Sequence, residues 1–454
     1  MRLSEALGIT RGDVVAFTGA GGKTSSLLTA GRELIDAGWR VIAATTTRIA
    51  VDELTSIPGA VTLGGDSLRP AAVSRALNQH GFIFLYRDVQ NSKVIGLEPT
   101  TINELIDAVD SDVILVEADG ARRLPFKAPY THEPVIPSGT TLHVPVVGLN
   151  ALGVPLDAEH VYNPEAIIAQ YGYPGGERVR YPWIASVMRD PELGLKGVPP
   201  TARIVGMINR APTTGIGRSA ARLIARLILR ERLISAVAFG SVQDADPILE
   251  VHRRVGAVVL AAGMSRSMNQ PETSKVLLAW DGRPIIKAIV ERLNRMRLDD
   301  IVIVTGHQAG QVRAVLERDS ARFAHNADYQ KGDMLSSLKT GLKALPPTIS
   351  ACLVALGDQP QIDPRIVSRI LIAYYEGRGK IIAPSYKGRR GHPILIDRSL
   401  WGEILNLPKE GAPRDVINAH GEDTYYIETD NENILRDIDT PEDYREALRR
   451  AGLG

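Results

Sequence analysis

Short apolar runs alternate with helix-period segments along the whole chain. In the first half the runs are residues 14–17, 41–44, 82–85, 113–116, 142–147, 204–208 and 236–239. They are apolar throughout rather than at every second position, as strands buried on both faces must be. Separated by longer amphipathic segments, they predict a parallel sheet wrapped by helices. Residues 218–232 show the helical period: Leu223, Ile224, Leu227 and Ile228 share one face, and the arginines between them read as a solvated face. Residues 125–200 are rich in Pro and Gly and read as an irregular insertion.

A second series of runs begins abruptly at 255–260 and continues at 301–304, 351–356, 380–383, 394–396 and near 425–428. The polar stretch 243–254 divides the two series, so the expected domains are 1–250 and 251–454. The expected fold class is α/β, with two doubly wound, mainly parallel-sheet domains. A closing helix is signalled by Thr440 as cap, Pro441 at its first position, and Glu442 and Asp443 at its positive end.

Composition narrows the function. At 454 residues the chain exceeds one ordinary core. Lys plus Arg number 53 against 52 Asp plus Glu, so no global field favours nucleic acid or a membrane surface, and any anion site is local. Cys352, the only cysteine, lies in an apolar run, which excludes a disulfide framework and suits a reducing compartment. The first residues lack a signal-peptide core and no segment approaches bilayer-spanning length, so a cytoplasmic location is expected.

The second half carries the clearer chemistry. The strand at 255–260 runs into Leu260-Ala261-Ala262-Gly263, with Arg266 and Lys275 following. Such a loop exposes backbone N–H groups to phosphate, and the two cations would neutralise it; a tight turn after a buried strand is the bland alternative. Leu353-Val354-Ala355-Leu356-Gly357-Asp358 ends a strand in a carboxylate, where α/β sheets bind ligands and where Mg²⁺ finds the one or two carboxylates it prefers. Asp439, in Asp437-Ile438-Asp439-Thr440-Pro441, is the second candidate metal contact, although it could equally serve the last helix's cap. As bare sequence, Asp358 also suits a turn before Pro360.

Together these residues resemble the MobA-like nucleotidyltransferases, closest to the molybdenum cofactor cytidylyltransferases. The marks are Leu260-Ala261-Ala262-Gly263-Met264-Ser265 with Lys275, Gly357-Asp358-Gln359-Pro360, Gly388-Arg389-Arg390-Gly391-His392-Pro393 and Asp437-Ile438-Asp439-Thr440-Pro441, and they span 255–454. The resemblance implies a Rossmann-like nucleotidyltransferase domain using Mg²⁺, with CTP (from Ala262, where guanylyl-transferring relatives have Gly) and molybdopterin as substrates. It implies Ser336 and Ser337 beside the nucleotide, and the loop 387–392 with His392 near the pterin phosphate. In this family an Arg and a second Gly usually stand where this chain has Ser267 and Asn269; Arg266 stands one place earlier, and the additional residues Glu272-Thr273-Ser274 precede Lys275.

In the first half, Thr18-Gly19-Ala20-Gly21-Gly22-Lys23-Thr24 follows a strand and opens a helix. A Walker A loop would need glycine at Phe17, so this is a P-loop variant that keeps Gly22-Lys23-Thr24. Gly19, Gly21, Gly22, Lys23 and Thr24, with Glu117 and Asp119 after the 113–116 run, form a coherent nucleotide site for ATP or GTP; a glycine-rich turn with a surface lysine is the plainer reading. With Ala44-Thr45-Thr46-Thr47, Val116-Glu117-Ala118-Asp119-Gly120 and the stretch from Lys127 to Pro137, residues 1–240 resemble the YqeC family. That resemblance implies an accessory role for selenium-dependent molybdenum hydroxylases, with the hydroxylase apoenzyme as partner. Asn209-Arg210 resembles the base-reading Asn-Lys of GTPases without its following Asp.

The expected function is therefore CMP transfer from CTP to molybdopterin with pyrophosphate release. A non-catalytic cofactor-carrying chaperone, motivated by Ser267 and Asn269, and a sugar-1-phosphate nucleotidyltransferase stand as alternatives.

Overall fold

The computed structural model describes all residues except 52–58, 66, 92, 266–267, 269–273, 332–333 and 454. The chain divides into two compact units, Met1–His252 and Arg253–Gly454, each with its own sheet.

Among the described residues, the first unit's main sheet has nine strands. Its centre is Asp13–Gly19, flanked by Val113–Glu117 on one side and Leu142–Gly148 on the other, both parallel to it. Outward from Val113–Glu117 come Val41–Thr45, Phe82–Tyr86 and Ala60–Thr62; outward from Leu142–Gly148 come Arg203–Asn209, Ile234–Gly240 and Ile248–Arg253. Alternation decides the faces. Val15 and Phe17, with Leu142, Val144 and Val146, fill one apolar layer, while Val14 and Val147 join layers on the opposite face. A sheet covered on both sides explains why each strand is apolar throughout.

Two expectations are corrected here. Residues 125–200 are not simply irregular: they contain the helices Pro164–Tyr171 and Tyr181–Arg189, whose Ile167, Trp183, Ile184, Val187 and Met188 are buried against the sheet. Proline hid them, because it sits at the first turn of each helix, where its missing N–H costs nothing. The second correction concerns the arginine-rich helix, which runs Gly215–Ile228. Arg218 and Arg222 there are half-buried rather than a purely solvated face, and pair at 2.7 and 2.6 Å with Glu250, which is fully buried. Burial would raise the Glu250 carboxyl, yet hydrogen bonds from His252 and Arg222 hold it down at about 2.

The second unit's sheet runs in the order Arg322–His325, Asp300–Thr305, Val255–Ala261, Ala351–Leu356, Ile394–Asp397, Ile381–Tyr386 and Arg389–Arg390, with Thr424–Glu428 pairing beside Ile381–Tyr386. It is mainly parallel around Val255–Ala261, and Ile394–Asp397 is inserted antiparallel. Val255, Ala257, Val259 and Ala261 pack on one face, Val258 on the other. The last helix, Pro441–Arg450, begins as its sequence indicates: Asp443 N–H donates to Thr440 Oγ1 at 3.1 Å and Thr440 N–H to Asp443 Oδ2 at 2.8 Å. No helix among the described residues is long and apolar enough to cross a membrane.

Candidate functional sites at the strand ends

In the second unit the carboxyl ends of the central strands bring most of the candidates together. Val255–Ala261 delivers Leu260, Ala261 and the turn Ala262-Gly263; the neighbouring strand Ala351–Leu356 leads into Gly357, whose N–H donates to Leu260 O at 3.0 Å, and then Asp358. Ile438 N–H donates to Asp358 O at 3.2 Å, which pins the segment carrying Asp437 and Asp439 beside that strand end. Lys275 closes the group. Its backbone N–H donates to Ser265 Oγ at 2.8 Å, and its ammonium reaches both Asp358 and, at 2.8 Å, Asp439. Burial alone would lower the Lys275 ammonium; the Asp358 and Asp439 carboxylates outweigh it and leave the group raised.

Three carboxylates therefore gather where one lysine serves them. Asp437 accepts from Gln359 Nε2 at 2.5 Å, and burial together with the Asp358 charge raises its carboxyl above the ordinary range. That surplus of negative charge is the electrostatic demand a divalent cation meets. Among the described residues no three His, Cys, Asp or Glu groups make a cage of their own. Two convergent carboxylates fit Mg²⁺, a hard ion that completes its shell with water and phosphate oxygens.

Ser336 and Ser337 open the helix Met334–Ala344 and are held by one side chain: Asn326 Nδ2 donates to Ser336 Oγ at 3.0 Å and to Ser337 Oγ at 3.1 Å. Asn326 N–H is in turn bonded to Thr305 O, and His307 N–H to Ala262 O, so these loops border the first turn. His392 lies beside Gln359 and Ile434, with its N–H on Ile434 O. Burial first, and then Arg390, push its imidazole down to about 4, so it is neutral at pH 7. Arg266, with Ser267 and Asn269, lies outside the described residues.

The first unit builds a second constellation at its own strand ends. Gly19, Gly21 and Gly22 all take positive φ, and a Cβ on Gly22 would meet Asn209 Nδ2 at 2.2 Å. Asn209, given little weight from sequence, is a clamp: it donates to Gly21 O at 2.8 Å and accepts from Val242 N–H at 3.1 Å. Lys23 and Thr24 start the helix Lys23–Asp36. Thr24 Oγ1 donates to Glu117 Oε2 at 2.7 Å, and Lys23 Nζ lies 3.3 Å from Asp119 and 3.7 Å from Glu117. Burial would lower Lys23; Asp119, then Glu117, raise it overall.

Sequence reasoning missed three members of this cluster. Lys127 and Glu133 sit in the segment used only to mark family likeness, and His143 hides inside an apolar run. The signal for His143 was a lone ionisable residue inside an apolar strand run; Lys127 and Glu133 carried none.

The family described as YqeC protein matches residues 15–165, and the MobA-like NTP transferase domain matches residues 257–424. The uncharacterised protein YqeC of Escherichia coli (strain K12) is 30% identical over 52% of this chain and 89% of its own. Molybdenum cofactor cytidylyltransferase of the same organism is 27% identical over 43% of this chain and 96% of its own. Nicotine blue oxidoreductase of Paenarthrobacter nicotinovorans is 30% identical over 41% of this chain and 93% of its own.

Proposed function

Proceeding from a chain that belongs to the YqeC family over its first unit and to the MobA-like NTP transferases over its second, we propose that the second unit moves CMP from CTP onto the terminal phosphate of molybdopterin. The observation that carries this reading is Lys275, joined to Asp358 and Asp439 beside the Ala262-Gly263 turn. Likeness to a cytidylyltransferase and the Leu260-Ala261-Ala262-Gly263 segment support CTP.

An oxygen of the acceptor's phosphate attacks the α-phosphorus, the bond to the β-phosphate oxygen breaks, and pyrophosphate leaves with the electron pair. The nucleophile is already an anion, so no side chain need remove a proton. The residues bind and orient instead. Backbone N–H groups after Ala262 receive the triphosphate and Lys275 and Arg266 neutralise it; Asp358 and Asp439 would hold Mg²⁺, which would supply further charge neutralisation there. Ser336 and Ser337 orient the nucleoside. The loop 387–392 takes the acceptor, with neutral His392 offering a hydrogen bond rather than a charge.

The first unit uses its glycine turn, Lys23, Thr24, Glu117 and Asp119 to bind ATP or GTP. It serves an accessory step in maturing a molybdenum hydroxylase, selenium-dependent in the family reading, and the apoenzyme is the expected partner.

The test supplies full-length protein with Mg²⁺, molybdopterin and CTP, GTP or ATP, and follows pyrophosphate. Turnover with CTP, lost in Asp358→Ala, is expected. Tight cofactor binding without pyrophosphate would select the chaperone reading, and turnover of a sugar phosphate in place of the pterin would select the third. Full activity in Asp358→Ala sinks the assignment.

A further inference from the structure

In the first unit, the strand end that carries Glu117 and Asp119 runs on into a turn whose residues are wrong for its shape. Leu124 N–H donates to Ala121 O at 2.9 Å, closing a four-residue turn, and both central residues take positive φ, 47° at Arg122 and 64° at Arg123. That is the type I′ arrangement, which Asn-Gly fills at least cost and which two residues with a Cβ and a long side chain strain. Such strain persists only where the surroundings hold it, and it gathers at binding sites. Gly21 N–H donates to Leu124 O at 3.0 Å and Gly148 N–H to Pro125 O at 2.9 Å, so the turn is tied to the glycine turn and to a central strand end. Both arginines are nevertheless exposed.

The arginines begin a strip of aromatic rings. The Arg122 guanidinium lies over the Tyr162 ring, 5.6 Å from its centroid. Tyr130 meets Tyr162 edge to face with 5.3 Å between centroids, and His132 stands parallel to Tyr130, with 3° between planes and 6.0 Å between centroids. Tyr130 is 41% exposed, and His132 is exposed too. The backbone under these rings is fixed. Lys196 Nζ donates to Tyr130 O at 2.8 Å and to Thr131 O at 3.0 Å, and Tyr130 N–H donates to Glu133 Oε2 at 3.3 Å. From behind, buried Lys127 donates to the same Glu133 oxygen at 2.9 Å, lies 2.9 Å from Asp119 Oδ2 and sits 4.8 Å from the Tyr162 centroid. The two acids beneath the strip are thereby paired inward.

A guanidinium fork matches a phosphate bidentately, and an exposed aromatic face stacks on a flat ring. We propose that Arg122, Arg123, Tyr130 and His132 form a binding site for a phosphorylated flat heterocycle, separate from the nucleotide of the glycine turn. Arg122 and Arg123 hold the phosphate monoester, and Tyr130 and His132 carry the ring. A phosphorylated pterin is the member of that class on which the second unit is proposed to act, and the choice of this ring rests on that reading.

The test titrates full-length protein with the oxidised, fluorescent phosphorylated pterin obtained from molybdopterin, and separately with its dephosphorylated form. Arg122→Asn combined with Arg123→Gly gives the turn the residues it prefers. This double variant should melt at or above the wild-type temperature and yet bind one equivalent of pterin fewer. Where the second unit also takes the pterin, the counts are two and one; where that reading fails, they are one and none. Tyr130→Leu should weaken the same equivalent by about tenfold, and removing the phosphate by about tenfold or more. Equal counts in wild type and double variant, or equal affinity of this site for the dephosphorylated pterin, overturn the proposal. So does displacement by ATP or GTP, which would put the arginines in the nucleotide's own site, or by a single-stranded oligonucleotide, which would make the strip a nucleic-acid surface. A double variant that melts well below wild type shows that the arginines serve the fold, and overturns it as well.

Discussion

The ammonium of Lys275 donates to Asp439 Oδ1 at 2.8 Å, joining residues 164 positions apart, and the same ammonium rests on Asp358. Lys275, the acid after one strand end and the acid just before the last helix thus form one electrostatic group. On the proposed reading, an arriving triphosphate competes for the lysine and frees the carboxylates.

Lys275→Met is accordingly expected to cut nucleotidyl transfer by roughly 100- to 1000-fold. The loss should fall mainly on kcat, because the charge develops during transfer. Pyrophosphate release under saturating CTP measures it; a variant within tenfold of wild type would remove Lys275 from the site.

Two glycines near the first turn separate crowding from function. A Cβ on Gly306 would meet Ala262 O at 2.6 Å and Tyr329 Cβ at 2.5 Å, whereas a Cβ on Gly263 meets nothing within 4 Å. Gly306→Ala should lower the melting temperature and the transfer rate together. Gly263→Ala should melt as wild type yet transfer more slowly, since its added methyl occupies the space proposed for phosphate. Wild-type transfer by Gly263→Ala would move the triphosphate elsewhere.

Asn326 donates to two hydroxyls with one amide, so Asn326→Leu removes that donor from both serines. A stability loss of about 1–3 kcal/mol is expected, with KM for CTP rising more than kcat falls. Thermal melting and steady-state kinetics check the two halves; an unchanged KM would disconnect the serines from the nucleotide.

His143 makes the first unit acid-sensitive. Burial lowers its imidazole from 6.5 to about 4, although Asp119 pulls the other way. Between those values the unfolded chain takes up a proton that the folded one refuses. Stability from this group is intact above pH 6.5 and declines as pH falls toward 4, by roughly 3 kcal/mol in all. Melting of the first unit in His143→Gln should depend less on pH across that window. An identical pH slope in both proteins would contradict this.

Much of the fold was legible from periodicity. Apolar runs at 14–17, 113–116, 255–260 and 351–356 lie within strands, because burial on both faces writes itself into consecutive side chains. The glycine turns and the Thr440 cap were legible too, since their geometry is local. Pairing was not. Strand order decides that Leu142–Gly148 lies beside Asp13–Gly19, and hence that His143 meets Thr18. Nothing near residue 250 announces that Glu250 will neutralise two arginines of a helix, and nothing near Lys127 points to Asp119 and Glu133 as its joint partners. A residue's period reports its own backbone and burial. Which charges share a buried space depends on how distant segments are laid side by side, and only the folded chain sets that.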